Sequence, residues 1–366
     1  MPTPHLTELY RVQASGARAV EPFDVSGLSL LAVPQLAVDV AGEPPNMNGG
    51  DSNTDLLLLL RTADGYVPFQ RLLAPGGEDA EFFRIDDRAF LAVASIRSGT
   101  GPYEYATESR LFEWTGTKFE IFQTFSGFAA KQWRHFTIGD RHFLALAQGV
   151  LLPDREADNR PSEIFHWDGQ TFVPFQTIPS SWAYNWHAFT IGGEHYLAHA
   201  DNVSPSMLYH WDGEQFVAQQ QLAGQHGRAF ADFTVDGAHY LIVGCLQSPS
   251  RVLRWDGTNF VEHQVLDGLG SREFAVVTAP GGPFVVRVNF ILGTPVAPQP
   301  ELNSQLYQWR NGELVVVEEF PTTGGVDVAV FSDGQGTLVA VAHALSADIR
   351  FATSSVVYRF RGEELS

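Results

Sequence analysis

The chain has 366 residues, one cysteine and a formal net charge of −19, from 23 Lys and Arg against 42 Asp and Glu. A single cysteine excludes an internal disulfide, and the acidic balance argues against nucleic acid as a partner, because a field of that sign repels phosphate. No stretch reaches the roughly 18 consecutive apolar residues of a membrane-spanning helix, so we expect no membrane insertion.

Short apolar stretches separated by Gly and Asp turns run along the whole chain and predict β-hairpins. One phrase recurs with an anchoring residue, usually Trp, at its fourth position. Its five clear copies are residues 111–119, 164–172, 208–216, 252–260 and 306–314. Weaker copies lie near both ends of the chain. A second phrase, clearest in residues 133–147 and 186–200, occupies the intervals between the copies.

Two hairpins per repeat give a four-stranded antiparallel sheet, which is the size of one propeller blade. The anchors enclose seven intervals, so the sequence predicts an all-β, seven-bladed β-propeller that uses residues 1–366 as one domain. The expected blades are approximately 28–73, 80–125, 133–178, 186–222, 229–266, 273–320, and 326–366 completed by 8–25. Strands from the N- and C-termini therefore share the last blade. Which terminal strand lies outermost stays open.

The joints between the two hairpins of a blade vary in length. Four are long, at residues 41–55, 95–109, 148–162 and 291–304, whereas those at 201–206 and 245–250 are short. In a four-stranded blade this joint lies on the same side as the connection into the next blade. We therefore expect all long loops on one face, around the mouth of the central channel, where binding residues tend to gather.

Aromatic and polar side chains gather at the start of two inner hairpins. The candidate binding residues are Trp133, Arg134, His135, Trp182, Tyr184, Trp186 and His187. Aromatic rings beside Arg and His suit a sugar, a planar metabolite or a protein loop. Packing between blades is the alternative interpretation for Trp133 and Trp186, because Phe230 and Phe274 fill the corresponding positions.

A second set of candidates is acidic and lies at or near the starts of the innermost strands. Its members are Asp79, Glu81, Asp232, Glu273 and Asp327. Converging carboxylates repel one another unless a cation joins them, and hard oxygen ligands favour calcium. The sequence thus raises the expectation of Ca²⁺ in the central channel.

Three histidines are the candidates for acid–base chemistry. His187, His199 and His343 fall on the side of the disc that we expect to be functional, and any of them could act as a general base beside a carboxylate. No nucleophile elbow, zinc-binding helix motif, P-loop or dinucleotide fingerprint accompanies them. Their absence decides little, because propeller enzymes place their catalytic residues on separate blades, so a lyase, hydrolase or cyclase of secondary metabolism stays an alternative.

The repeated phrases resemble a known family. Residues 164–176, 208–217 and 189–198 are similar to the epilepsy-associated repeat, also called the EPTP or EAR repeat, of the leucine-rich glioma-inactivated proteins and related extracellular proteins. The resemblance covers essentially the whole chain and is strongest from residue 82 to residue 260. It implies a seven-bladed propeller that binds proteins without catalysis. It also implies a channel cation held by acidic residues at strand starts, which here are the five carboxylates above.

These observations favour a non-catalytic recognition module that binds a protein partner or another ligand through the long-loop face. A carbohydrate or small-molecule binder and the enzyme above are the alternatives. We expect a monomer with no required cofactor. The printed sequence opens without a signal peptide, so we expect a cytoplasmic protein, with secretion by another route left open.

Overall fold

The computed structural model describes residues 4–153 and 155–362, which form a seven-bladed β-propeller of four-stranded antiparallel sheets. The predicted fold class is therefore confirmed. Within the described residues there is no α-helix, and a short 3-10 turn spans Glu156–Asp158. No helix in this part of the chain is long and apolar enough to cross a membrane.

The first half of the chain supplies thirteen strands. They are β1 (Leu6–Ser15), β2 (Glu21–Val25), β3 (Leu28–Val33), β4 (Asp55–Thr62), β5 (Gly65–Leu73), β6 (Gly77–Ile85), β7 (Arg88–Ser95), β8 (Glu108–Trp114), β9 (Phe119–Ser126), β10 (Gln132–Ile138), β11 (Arg141–Ala147), β12 (Ser162–Trp167) and β13 (Phe172–Ile178). Blades one to three are β2–β5, β6–β9 and β10–β13.

The second half supplies the remaining strands. They are β14 (Ala183–Ile191), β15 (Glu194–Asp201), β16 (Ser206–Trp211), β17 (Phe216–Ala223), β18 (Gly227–Val235), β19 (Ala238–Cys245), β20 (Ser250–Trp255), β21 (Phe260–Leu266), β22 (Ser271–Ala279), β23 (Gly282–Asn289), β24 (Leu292–Thr294), β25 (Ala297–Gln299), β26 (Glu301–Arg310), β27 (Glu313–Thr323), β28 (Gly325–Ser332), β29 (Thr337–His343) and β30 (Ala352–Phe360). Blades four and five are β14–β17 and β18–β21. Blade six is β22, β23, β26 and β27, and β24 pairs with β25 in a separate small hairpin.

The seventh blade closes the ring with strands from both chain ends, as expected. Its order is β1-β30-β29-β28, so the N-terminal strand β1 is outermost and pairs with β30 from Leu6 opposite Phe360 to Ser15 opposite Ala352. The structure differs from the predicted boundary at residues 21–25. These residues form β2, the innermost strand of the first blade, so only the earlier part of 8–25 completes the last blade.

The recurring Trp phrase is the outer hairpin of each blade. In the third blade the Asp168 carboxylate accepts two backbone N–H hydrogen bonds of the turn at 2.8 Å, and Gly169 takes a φ of 99°, which favours glycine. The Trp167 ring then contacts Phe172 across the hairpin, with ring centroids 5.2 Å apart. The repeat therefore encodes one turn geometry and one aromatic pair.

Seven hydrophobic clusters form the main core, and six of them each span two neighbouring blades. The remaining cluster joins the last blade to the first and also includes joint residues such as Leu246 and Phe290. Between the second and third blades, for example, Trp133 packs against Phe125 of β9 and Phe165 of β12. One blade alone cannot bury both of its faces, so stability depends on closing the ring. This arrangement leaves the central channel for polar side chains.

The joints and the connections between blades share one face of the disc. Around blades four to six they are tied by a chain of backbone hydrogen bonds, in which Asn202, His226, Leu246, Gly270 and Phe290 each accept from or donate to the next at 2.8–3.1 Å. His226 and Gly270 belong to connections between blades, whereas the other three belong to joints within blades. We call this side the loop face.

Candidate functional site at the channel mouth

The central channel holds a cavity of about 340 Å³ lined by the first residues of the inner strands. In five blades the inner strand starts with a β-bulge, at which the pairing register skips one residue. The skipped residues are Glu78, Tyr184, Arg228, Arg272 and Val326. A bulge frees one residue from the ladder and re-aims its side chain, here towards the channel mouth.

Lys131 and Arg18 occupy the same place in the two remaining blades. Lys131 donates its backbone N–H to Ala147, the residue with which Gln132 is paired, and Arg18 precedes β2. One residue per blade thus forms what we call the mouth ring. It consists of Arg18, Glu78, Lys131, Tyr184, Arg228, Arg272 and Val326.

Tyr184 is the aromatic member of the mouth ring. Its ring centre lies 3.9 Å from the Arg228 guanidinium carbon, 5.1 Å from the Lys131 ammonium nitrogen and 5.1 Å from the Arg272 guanidinium carbon. Cations above an aromatic face are attracted by its quadrupole. Burial alone would raise the pKa of the Tyr184 phenol, but the three cations outweigh burial and lower that pKa.

A layer of carboxylates lies one residue further along the inner strands. Asp79 accepts a hydrogen bond from the Trp133 N–H and Asp327 from the Val20 N–H, both at 2.8 Å, whereas Glu273 accepts from the Asn185 amide at 3.0 Å. Burial, followed by the charge of Glu81, raises the pKa of Asp79 to about 8. Burial and the Asp327 charge likewise raise the pKa of Glu273 to about 8.

Two further carboxylates lie deeper in the channel beside one cation. Glu81 pairs with Arg134 at 3.2 Å and accepts the His135 N–H at 2.9 Å. Glu21, which the sequence analysis did not include, accepts the Phe82 N–H at 3.1 Å. Burial and the neighbouring Glu81 charge raise the pKa of Glu21 well above its ordinary value.

Asp232, the fifth predicted carboxylate, is held apart by histidines. It lies 2.7 Å from His187 Nε2 and 3.4 Å from His239 Nε2. Burial opposes ionisation, but the His187 hydrogen bond and charge lower the pKa of the Asp232 carboxyl. All five predicted carboxylates line the channel cavity, and Asp232 differs from the other four in its two histidine partners.

The calcium expectation can be compared with this geometry. No group of three or more His, Cys, Asp or Glu side chains within residues 4–153 and 155–362 is arranged to hold a metal ion. One carboxylate oxygen of Asp79 and one of Asp327 each accept a hydrogen bond from a backbone N–H group. Calcium in the channel remains a prediction.

The predicted aromatic residues separate into two groups. Trp133 and Trp186 are both 0% exposed and pack between blades, which corrects the expectation that they face a ligand. Trp182 instead lines a second cavity, of about 360 Å³, on the loop face, and its indole N–H has no partner among the described residues. Tyr184 lines both cavities and connects them.

The remaining predicted histidines are packed against other side chains and do not gather at one site. His135 stacks on Phe83 at 4.2 Å, and burial lowers its pKa to about 3. His199 and His343 are 1% and 7% exposed, and burial lowers the pKa of each to about 4. The register places Trp186 opposite His199, so His187 and His199 point to opposite faces of their sheet. His187, His199 and His343, each proposed as an alternative general base, therefore lie in separate surroundings, and His187 is hydrogen-bonded to the Asp232 carboxylate.

Of the seven members of the mouth ring, only Tyr184 was a candidate in the sequence analysis. The other six are Arg18, Glu78, Lys131, Arg228, Arg272 and Val326. A positional signal does exist, because each member lies two residues before the side chain that packs between blades, as Arg228 precedes Phe230 and Arg272 precedes Phe274. The residue type at this position changes from blade to blade, so no repeated residue identifies the position in the sequence.

Comparison with known proteins identifies the repeats. Residues 118–168, 171–212 and 215–256 match the EPTP domain model. The chain is 36% identical over 124 residues to the human "Thrombospondin-type laminin G domain and EAR repeat-containing protein", and 30% identical over 151 residues to the protein of that name in Mus musculus. These alignments cover 33% and 39% of this chain, and only 17% and 21% of the two relatives.

The matched repeats are offset from the blades. The stretch 118–168 contains the outermost strand β9 of blade two and the inner three strands of blade three. The last blade shows the same offset, because its outermost strand, β1, pairs with β30, the third strand from the channel. Ring closure is thus one more instance of the repeat.

Proposed function

From the premise that this propeller is built around EPTP repeats, we propose that it is a non-catalytic recognition module that binds a protein partner through its loop face. The EPTP repeats and the EAR-repeat relatives support a protein-binding role. The observation that carries the choice of face is the pair of cavities joined by Tyr184 at the channel mouth.

Exposed apolar side chains on the same face add to this argument. Val296 is 95% exposed at the tip of the β24–β25 hairpin, and Leu269 and Leu292 beside the second cavity are 44% and 36% exposed. Apolar side chains that gather beside a concave surface are typical of a contact site. The β24–β25 hairpin projects from the sixth blade and would extend the contact area.

A matched pair of variants tests the choice of face. Val296→Asp alters the loop face, whereas Val315→Asp makes the same change on the outermost strand of the same blade, where Val315 is 43% exposed. Proteins that are captured by the wild-type chain and by Val315→Asp, but lost with Val296→Asp, would support the proposal. Identical capture by all three chains would contradict it.

A small-molecule ligand in the second cavity is the other candidate function. The specific observation in its favour is the Trp182 indole N–H, which is buried, faces no acceptor among the described residues and lies beside the Tyr184 ring. A buried donor without a partner is unfavourable unless a ligand or water accepts from it. Quenching of tryptophan fluorescence by a glycan or metabolite, abolished in Trp182→Phe, would favour this function.

A further inference from the structure

The mouth ring reverses the charge of the molecule locally. Four of its seven positions hold cations, Arg18, Lys131, Arg228 and Arg272, and Glu78 is its one acid. The chain as a whole carries −19. Each cation comes from a different blade, so only ring closure brings them together.

Two of the four cations have partners. Arg18 pairs with Glu78 at 3.1 Å between Nε and Oε2. Arg228 donates to the Asn202 side-chain oxygen at 2.7 Å and to the Gly227 carbonyl at 3.1 Å. The one acid of the ring is thus engaged by Arg18.

Lys131 and Arg272 have no side-chain hydrogen bond and no ion pair within 4.0 Å among the described residues. They are nevertheless only 5% and 8% exposed, and both line the channel cavity. Each cation lies 5.1 Å from the centre of the Tyr184 ring, which offsets part of the cost of burial, but a buried charge without a hydrogen bond or ion pair is still unfavourable. Burial accordingly lowers the pKa of Lys131. An anion in the cavity would satisfy both side chains.

The surroundings select the kind of anion. Lys131, Arg272 and the Tyr184 phenol offer N–H and O–H donors, which suit a compact oxyanion. Glu78 lines the same cavity, and although burial alone would raise its pKa, the charges of Arg18, Lys131 and Arg272 lower it. Glu78 is therefore ionised at neutral pH and repels an anion in proportion to the charge of that anion. A singly charged carboxylate therefore fits better than a phosphate dianion.

We propose that the channel mouth binds a small free carboxylate, held by Lys131 and Arg272 beside Tyr184. This site goes beyond the proposed function, because a free carboxylate would bind here whether or not the loop face recognises a protein. The second cavity, which shares Tyr184, provides room for an apolar substituent on the same ligand.

The test is a titration of the purified chain with sodium acetate and sodium succinate, followed by calorimetry and by the melting temperature at constant ionic strength. We expect saturable binding that Arg272→Gln weakens tenfold or more. Arg251→Gln removes an arginine that is 48% exposed on the third strand of blade five, and should bind like wild type.

Other outcomes decide against the proposal. Tighter binding of sodium phosphate than of the carboxylates, or equal affinity in Arg272→Gln, would overturn it. Binding of a capped Asp peptide without any binding of acetate or succinate would assign the site to an acidic side chain of a partner and overturn the free-ligand assignment. Lys131→Gln serves as the second variant if Arg272→Gln does not fold. Loss of partner capture in Val296→Asp with carboxylate binding intact would separate this site from the proposed function.

Discussion

The side-chain amide of Gln123 joins two blades by bridging both backbone groups of Phe172. Its Nε2 donates to the Phe172 carbonyl at 2.7 Å, and its Oε1 accepts the Phe172 N–H at 3.0 Å. Because Phe172 begins the outermost strand of the next blade, this contact fixes neighbouring outer strands at a set height. Equivalent amides bridge other blades, and they are Gln70, Gln176, Gln220 and Gln264.

Gln123→Ala should destabilise the propeller, because two backbone groups lose their partner at an interface between blades. The expected loss is about 1–3 kcal/mol, and the melting temperature should fall by about 3 °C or more. Gln219→Ala is the matched control, since the Gln219 amide makes an exposed bond from Nε2 to the Thr258 carbonyl. Equal melting of the two variants would show that the bridge contributes nothing.

The seventh blade uses a carboxylate instead of such an amide at its junction with the sixth. Glu318 of β27 accepts the N–H groups of His5 and Leu6 at 2.6 and 3.3 Å, and so holds the start of β1. Deletion of residues 4–15 would remove this contact and expose the edge of β30. An exposed strand edge promotes association with other chains.

We therefore expect the truncated chain to melt at a lower temperature and to form oligomers in size-exclusion chromatography. A peptide with the sequence of residues 4–15, added in excess, should restore the monomeric elution volume by pairing with β30. A truncated chain that stays monomeric and melts like the full chain would contradict the closure by β1.

The buried channel carboxylates predict how stability changes with pH. The pKa values of Asp79 and Glu273 are raised to about 8 in the folded state, whereas unfolded carboxyls titrate near 4. A raised folded-state pKa gives stability that is complete below about pH 4 and is lost as the pH rises towards 8. The difference between the melting temperatures at pH 5 and pH 8 should therefore be smaller for Asp79→Asn and Glu273→Gln than for the wild-type chain.

Repeating these melting measurements with calcium chloride tests the prediction that the channel binds Ca²⁺. An ion held by Asp79, Glu273 and Asp327 would stabilise their charged forms, so it would raise the melting temperature more at pH 8 than at pH 5. The same increase in all variants, or none in the wild-type chain, would speak against such a site. Asp333→Asn, in the turn between β28 and β29 and paired with Arg359, is a control for a general effect of removing an acid.

The repeated hairpin made the fold predictable from the sequence. The Asp-Gly turn beside Trp167 needs particular residues at fixed spacing, so the same letters return in blade after blade and reveal the blade count. Long joints could also be placed on one face, because strand number alone decides the side on which a joint lies.

The residues of the channel mouth could not be predicted from the sequence in the same way. The mouth ring depends on β-bulges at the starts of the inner strands. The bulged residues, such as Glu78, Arg228 and Arg272, differ in type from blade to blade, so no sequence motif predicts the bulge. The pairing of Asp232 with His187 of the preceding blade likewise depends on the distance between inner strands. Conversely, Trp133 and Trp186 looked like ligand contacts because sequence alone does not report burial between blades.

His343 gives a prediction for the acid side of the pH range. Burial lowers its folded-state pKa to about 4, below the ordinary histidine value near 6.5, and its Nε2 has no partner among the described residues. A depressed folded-state pKa gives stability that is present above about pH 6.5 and is lost as the pH falls towards 4. His343→Leu, which cannot take up a proton, should remove part of that loss.

The measurement is the melting temperature of the wild-type chain and of His343→Leu at pH 7 and pH 4.5. We expect the difference between the two pH values to shrink by about 2 °C or more in the variant. His263→Leu is the matched control, because that ring is exposed and its Nε2 donates a hydrogen bond to the Gly312 carbonyl at 2.7 Å. An identical pH response in His343→Leu and the wild-type chain would mean that this buried imidazole is not protonated during acid unfolding.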